Sequence, residues 1–356
     1  VLRIIVRLLV PLTNGDRMRN TVILSAVCAA LAATVMAAAS ACAQPRSFYE
    51  GKTITIVVGY SPAGGYDNYA RMLARHFGRH VPGSPNVIVQ NMPGAATLTA
   101  VRYLNSAAAQ DGTVITMFDP GLISESIAMP DTMKVKFSEY RWIGNMLRDI
   151  RVCYAWAATG IKNWQDVMAR RQFLIGVTGK GSQAYVNGAI LRKILNAPVR
   201  QIAGYPGSAE QRLALERGEL EGNCASWSSI PPDWLAEHKI NPLVRFSPKR
   251  PADMPEDVPY VVDLAATKED KDVLTILAAP GELGRPFIVA KAVPAERVRT
   301  LRDAFAATLH DEAFLAEAQK QSLPIDAVTG EEAEDIIAGI YAASPDLAKK
   351  VKDVLE

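Results

Sequence analysis

The sequence is short of the residues that most catalytic and metal sites require. Its 356 residues hold four histidines and four cysteines. No two cysteines stand as CxxC, which argues against a zinc ribbon or a thioredoxin-type redox pair, and four are too few for a disulfide scaffold at this length. There is no GxSxG elbow for a hydrolase nucleophile. His76 and His80 lie one helical turn apart, but His-Phe-Gly-Arg-His lacks the Glu that a zinc hydrolase needs after its first ligand. Both are read as surface residues near a helix end. Carboxylates are plentiful, yet no spacing marks an acid and base pair. An excess of one charge is missing too. Lys plus Arg total 39 against 37 for Asp plus Glu, a net charge of +2 with no field for gripping a polyanion, so nucleic acid is not an expected partner. No catalytic residue, metal or cofactor is expected. What remains, 49% hydrophobic and 21% charged residues, is the composition of a globular protein large enough for two domains.

The first forty-odd residues read as an address. Arg17-Met18-Arg19 precedes Thr21 to Ala41, an apolar run without charge that ends in Ala41-Cys42-Ala43-Gln44. A basic start, an apolar stretch and small residues at alternate positions are the parts of a secretory signal peptide, with cleavage expected after Ala43. A membrane anchor is the alternative, since the run is about long enough to span a bilayer; a lipoprotein acylated on Cys42 is another. Val1 to Arg17 carries its own basic apolar stretch, and Met18 would be a natural start for the signal. Removal of 43 residues takes away Arg3, Arg7, Arg17, Arg19 and Asp16, leaving 35 basic and 36 acidic side chains in 313 residues. Only Cys153 and Cys224 then remain, in an oxidising compartment. They either pair or are buried as separate thiols.

Beyond Phe48, short β-branched runs alternate with helical patterns. Strands are expected at 53–58, 86–90 and 113–118, with helices near 67–80 and 96–108. A second series has strands at 173–177, 199–202 and 220–224, with helices near 182–195 and 208–217. This alternation argues for two doubly wound α/β domains with helices on both faces of parallel sheets, an architecture that binds ligands outside the carboxyl ends of its strands. The expected limits are 44–155 plus about 278–356 for one domain and 156–277 for the other. Residues 247–259, rich in proline, read as a long connection. The last quarter is mainly helical: Pro294 suits a first turn, and Val298, Leu301, Phe305 and Leu309 form a core-facing stripe.

Three strand-to-helix turns carry the site argument. The first is Gly59-Tyr60-Ser61-Pro62-Ala63-Gly64-Gly65-Tyr66-Asp67. Adjacent glycines let backbone N–H groups approach a ligand, the helix that follows offers free donors, and Asp67 is placed to cap it. An ordinary tight turn explains the same residues equally well. The second, Gly179-Lys180-Gly181-Ser182-Gln183, is not a P-loop, because Leu174 stands where the leading glycine belongs. The third, Gly204-Tyr205-Pro206-Gly207-Ser208-Ala209-Glu210-Gln211, spaces Ser208 and Gln211 as a capping box, with Gly218 closing the helix.

Five segments in this order are specific together: ITIVVGYSPAGGYDNYARMLARHF, VIVQNMPGAATLTAVRYL with DGTVITMF, GKGSQAYVNGAIL, YPGSAEQRLALERGELEGN and RPFIVAKAVPAERVRTLRDAF. From about Phe48 to Leu355 the chain resembles the periplasmic solute receptors of tripartite tricarboxylate transporters, the Bug family. The resemblance implies a type II periplasmic binding protein fold whose two domains close on a small organic acid, without chemistry. It implies a monomer that delivers its ligand to membrane transporter subunits; a sensor partner or a secreted α/β hydrolase are the alternatives. Carried onto this chain, Ser61, Ala63, Gly64, Gly65, Tyr66 and Asp67 would hold the carboxylate through backbone groups and ordered water. Gly181, Ser182 and Gln183 would face them, with Tyr205, Pro206, Gly207 and Ser208 alongside. Backbone donors would neutralise the acid, so no dedicated arginine is expected. Two departures stand out. Tyr66 replaces a small residue or Thr, and Glu221 replaces the usual Asp of a distal ligand contact. Trp227 is placed either in the core or at the cleft.

Overall fold

The computed structural model describes residues 47–342 and 345–356. The expected signal segment and its expected cut after Ala43, with Cys28 and Cys42, lie outside the described residues. Residues 49–356 form one compact unit built on two sheets. The first contains β1 (Thr53–Val58), β2 (Asn86–Asn91), β3 (Val114–Met117), β4 (Arg141–Asn145), β10 (Pro286–Val289) and β11 (Val328–Thr329), in the order β11-β4-β10-β3-β1-β2. The second contains β5 (Arg151–Trp156), β6 (Phe173–Val177), β7 (Val199–Ala203), β8 (Gly222–Ser226) and β9 (Ile240–Arg245), in the order β7-β6-β8-β5-β9. Within each, the strands expected from sequence run parallel: β2, β1 and β3 in one, β7, β6 and β8 in the other.

Strands β4, β5, β9 and β11 were not expected, and each of the two sheets is completed by antiparallel strands. Burial on both faces hides β5 from a search for alternation: Val152 and Tyr154 enter one core cluster while Cys153 and Ala155 enter another. Pro242 masks β9, which tolerates it because β9 is an edge strand whose register shifts there. Cys153 and Cys224 face each other across β5 and β8 with Cα atoms 3.9 Å apart, and they form a disulfide.

The longer helices are α1 (Gly65–Phe77), α2 (Leu98–Ser106), α3 (Gly121–Ala128), α4 (Gln183–Lys193), α5 (Ser208–Glu216), α6 (Lys268–Ala278), α7 (Ala295–Leu309), α8 (Glu312–Lys320), α9 (Gly330–Tyr341) and α10 (Pro345–Leu355). Val298, Leu301, Phe305 and Leu309 are buried as the stripe requires, with Phe305 5.5 Å from the Phe287 ring. Pro294 stands at the N-cap position, one residue before the first turn of α7, with no side-chain cap. The last helix does not stay with the first sheet: Val351, Val354 and Leu355 join the core of the second, where Tyr185 Oη donates to the Leu355 carbonyl at 3.1 Å. His76 is not a surface residue. It is buried edge-on against Phe314 and bonded to Glu317 at 2.6 Å, while His80 bonds Asp311 at 2.9 Å. Both imidazoles are thus engaged by α8 and the residue before it, and no metal-binding cluster occurs among the described residues. Among those residues, no helix is long and apolar enough to cross a membrane.

Candidate functional site

The turn after β1 is held by Asp67. Its carboxylate accepts from the Ala63 N–H at 2.9 Å, Arg71 Nε at 2.8 Å and Asn91 Nδ2 at 2.9 Å. Burial raises its pKa, but the bonds from Arg71, Ala63 and Asn91 outweigh that and hold it below the usual carboxylate range. The cap position itself is Gly64, and Ala63 takes a left-handed φ of 63°. Asp67 therefore shapes the turn and leaves the N-terminus of α1 open.

Residues of the second sheet's turns meet this loop directly. Ser61 N–H donates to the Pro206 carbonyl at 3.2 Å, Ser61 Oγ donates to Glu210 at 2.9 Å, and Arg212 Nη2 donates to the Ala63 carbonyl at 2.9 Å. A Cβ on Gly207 would collide with Ser61 Oγ, and one on Gly65 with Ser229 Oγ, so a side chain at either position would displace the facing serine. Ser182 caps α4 by accepting from the Tyr185 N–H at 3.2 Å. The expected capping box at Ser208 does not form: Gly207 is the cap residue and no side chain caps the helix. Gln211 is turned inward instead, where its Oε1 accepts from Asn223 Nδ2 at 2.9 Å.

A fourth turn, after β3, was not singled out in the sequence. Asp119 Oδ1 accepts from the Gly121 N–H at 2.9 Å and from the Gln183 N–H at 2.7 Å, so it reaches the N-terminus of α4 from the other sheet. Its Oδ2 accepts from Tyr60 Oη at 2.6 Å. The Asp119 N–H is fixed by Thr97 Oγ1 at 3.0 Å. Thr97 ends a run of left-handed residues, Ala95, Ala96 and Thr97, with φ of 45°, 51° and 78°, and is fully buried. Ala96 Cβ lies 3.3 Å from where Gly179 would carry its own.

These turns border a half-open cavity of about 60 Å³, lined by Tyr60, Gly64, Gly65, Tyr66, Asp119, Arg151, Thr178, Ser182, Ser208, Gln211 and Ser226, among others. Arg151 enters from β5, opposite Ser226 on β8, and donates to Asp149 at 3.1 Å. Arg285 is fully buried beside it. Its Nη1 donates to the Gly284 carbonyl at 2.7 Å and lies 3.7 Å from Asp149, and its Nη2 donates to Ser226 and Ser229 at 3.1 and 2.8 Å. Its guanidinium also stacks over Tyr66 at 4.7 Å and Tyr69 at 5.0 Å. Three cavity-lining side chains, each more than nine-tenths buried, keep an atom without a hydrogen-bond partner: Tyr66 Oη, Arg151 Nε and Gln211 Nε2. Burial first, and then the Asp119 charge, push the Tyr60 and Tyr66 hydroxyls well above the usual tyrosine range, so both stay protonated at neutral pH.

Of the residues named from sequence, Gly64, Gly65, Tyr66, Ser182 and Ser208 line this cavity. Ser61, Ala63, Pro206 and Gly207 form the contacts just described, Gly181 packs on Leu122, and Gln183 supplies its N–H to Asp119. Tyr205 packs partly buried on the core. Glu221 lies elsewhere: its carboxylate accepts from Arg170 and from the Leu174 N–H at 2.5 and 2.8 Å. Trp227 belongs to the core, with Nε1 donating to Asp253 at 3.0 Å. Sequence reasoning missed Asp119, Arg151 and Arg285. Only Asp119 left a signal, as Asp119-Pro120-Gly121 directly after an expected strand.

No family model matches the chain, and no curated protein matches it in sequence. Solved structures do match. The periplasmic binding protein BugD superposes with a TM-score of 0.69 at 18% identity, over 86% of this chain and 98% of that one. The chain has the same fold. MatC from Rhodopseudomonas palustris, solved with bound malate, matches with a TM-score of 0.66 at 18% identity over 86% of this chain and 99% of its own. An R. palustris protein solved with adipate gives 0.66 at 17%, over 84% and 97%. The periplasmic-binding-protein fold accounts for the pair of mixed sheets, with the cavity between them.

Proposed function

We propose that this chain is a periplasmic solute receptor of the tripartite tricarboxylate, or Bug, type. It captures a small organic carboxylate between its two sheets and delivers it to membrane transporter subunits, without chemistry. The observation that carries this reading is the set of buried, unpartnered groups from both sheets, Tyr66 Oη, Arg151 Nε and Gln211 Nε2, around one cavity. A buried donor left unpaired costs on the order of 1–3 kcal/mol, which an acceptor-rich ligand would recover. Malate and adipate in the two R. palustris neighbours point to the same ligand chemistry. Contrary to the reading that backbone groups alone neutralise the acid, an arginine stands in the cavity wall.

In this proposal the protein acts as a monomer in the periplasm after signal cleavage near Ala43. Its two halves hinge where the chain crosses between sheets, at 146–150 and within 246–285, and closure around the ligand makes the form that the transporter recognises. A thermal-shift screen against mono-, di- and tricarboxylates, aromatic acids and amino acids tests it. Saturable stabilisation by a carboxylate is the expected result. A silent screen together with turnover of an ester or phosphate would overturn it.

A further inference from the structure

Arg151 lines the cavity described above and also a second, half-open one of about 200 Å³. The wall of the second is formed by Asp149, Gln183, Phe246, Tyr260 and Gly281, among others. From this wall we infer a further binding site, which reads an uncharged hydrogen-bond donor, a hydroxyl or a primary amide, through Gln183 Oε1.

Gln183 is 1% exposed, and its backbone N–H is committed to Asp119. Its side-chain Nε2 donates to Asn187 Oδ1 at 3.1 Å and to the Leu277 carbonyl at 3.3 Å. A carbonyl can only accept, so the side-chain amide cannot be turned over, and Oε1 is left as a buried acceptor without a partner. An acceptor in that state calls for a donor. Carboxylate and ketone oxygens cannot answer it. An ammonium could, but it would share the wall with the Arg151 guanidinium. Both carboxylates of that wall are already answered, Asp149 by Arg151 Nη1 and Glu282 by Arg148 Nη1, each at 3.1 Å, so neither is left for a cation. A hydroxyl or amide N–H satisfies the oxygen and adds no charge. The Phe246 and Tyr260 rings give its carbon atoms apolar surface. Such a group has two sources: the far end of the acid held in the first cavity, or a separate neutral molecule. The first rests on the receptor reading, and the second does not.

Isothermal titration of the disulfide-intact protein separates the two. One arm compares lactate with propionate and with alanine, and succinamate with levulinate, which has a methyl ketone in place of the amide. The other arm uses acetamide and glycerol alone. If the group belongs to the acid, lactate or succinamate is expected to bind about fivefold or more tightly than its counterparts. If it belongs to a separate molecule, acetamide or glycerol is expected to bind saturably. Gln183→Met keeps the length of the side chain and removes the acceptor. It is expected to bring the ratio to about one in the first case and to abolish neutral binding in the second. Gly281→Leu, where an added Cβ meets nothing closer than Arg151 Cδ at 3.7 Å, fills the cavity and is expected to act in the same way. Acids that bind without any advantage to the donor-bearing ones, together with silence from the neutral probes, would overturn the site and leave the receptor reading in place. Preference for alanine, or an advantage that survives both variants, would overturn the role given to Gln183 Oε1. Neutral probes that bind while every acid fails would keep the site and remove the receptor reading. Silence from every probe would remove both.

Discussion

The Cys153–Cys224 disulfide offers the sharpest test of the second sheet. The bond joins residues 71 apart in sequence, directly opposed on β5 and β8. Cross-linking a loop of that length removes denatured-state entropy equivalent to about 4 kcal/mol at 25 °C. At roughly 2.1 cal/mol/K of unfolding entropy per residue, a compact unit of about 300 residues changes its Tm by about 1.6 °C for each kcal/mol, so the loss corresponds to roughly 6–7 °C. Replacing both cysteines by alanine is therefore expected to lower the calorimetric Tm by about that much. Reducing the bond in the wild type should produce the same shift, with two thiols titrated per chain. Arg151 and Ser226 are paired two positions along the same strands, so weaker ligand binding should accompany the loss of stability. A shift below about 1 °C in the double variant, or two titratable thiols in the untreated chain from residue 44 onward, would refute the pairing and the strand register that produces it.

Four further outcomes follow from the same geometry. Asp67→Asn should cost about 1–3 kcal/mol in urea unfolding, because Ala63, Arg71 and Asn91 lose a charged acceptor. The folded pKa of Asp67 lies below its unfolded value, so its contribution is present at neutral pH and disappears as pH falls through the folded pKa; the variant should be flatter in acid. At the other extreme, Tyr60 and Tyr66 have folded pKa values raised above about 10, so stability should fall as pH rises beyond 10, and tyrosinate absorbance from them should appear only with unfolding. Gly65→Ala places a methyl group on Ser229 Oγ and against Arg285 Nη2, so it should weaken ligand binding more than tenfold, and adding Ser229→Gly should restore part of it. Ala96→Gly, at φ 51°, should raise stability by about 1 kcal/mol, the reverse of the usual effect of glycine, as read from the urea midpoint.

Much of the scaffold could be read directly, for reasons that specific residues show. The runs at 53–58 and 173–177 are short, β-branched and followed by glycine turns, and both are strands of the parallel cores. The glycine pair 64–65 was informative because only absent side chains allow Ser208 and Ser229 to come so close. Ser182, placed before an expected helix where it could either cap it or meet a ligand, caps α4. Charged groups at the site were not legible. Arg151 begins a strand whose two buried faces erase alternation, and Arg285 is separated from its partner Asp149 by more than a hundred residues, so no local pattern pairs them. Ser208 and Gln211 were misread for the opposite reason: their spacing fits a cap, but tertiary contacts turned the glutamine toward Asn223 and the cavity.

The left-handed run at Ala95, Ala96 and Thr97 ties the precision of the site to the robustness of the whole fold. Each non-glycine residue in that conformation costs roughly 1–2 kcal/mol, so the three together hold about 3–6 kcal/mol against a typical net stability of about 5–15 kcal/mol. The burial of Thr97 and its bond to the Asp119 N–H keep the chain in that shape. Relaxing this segment would release the Asp119 N–H from Thr97 and with it the hold of Asp119 on the Gln183 N–H. Like Ala63 in the turn after β1, this segment holds a costly conformation where relief would blur the wall of the cavity, a trade between endurance and precision.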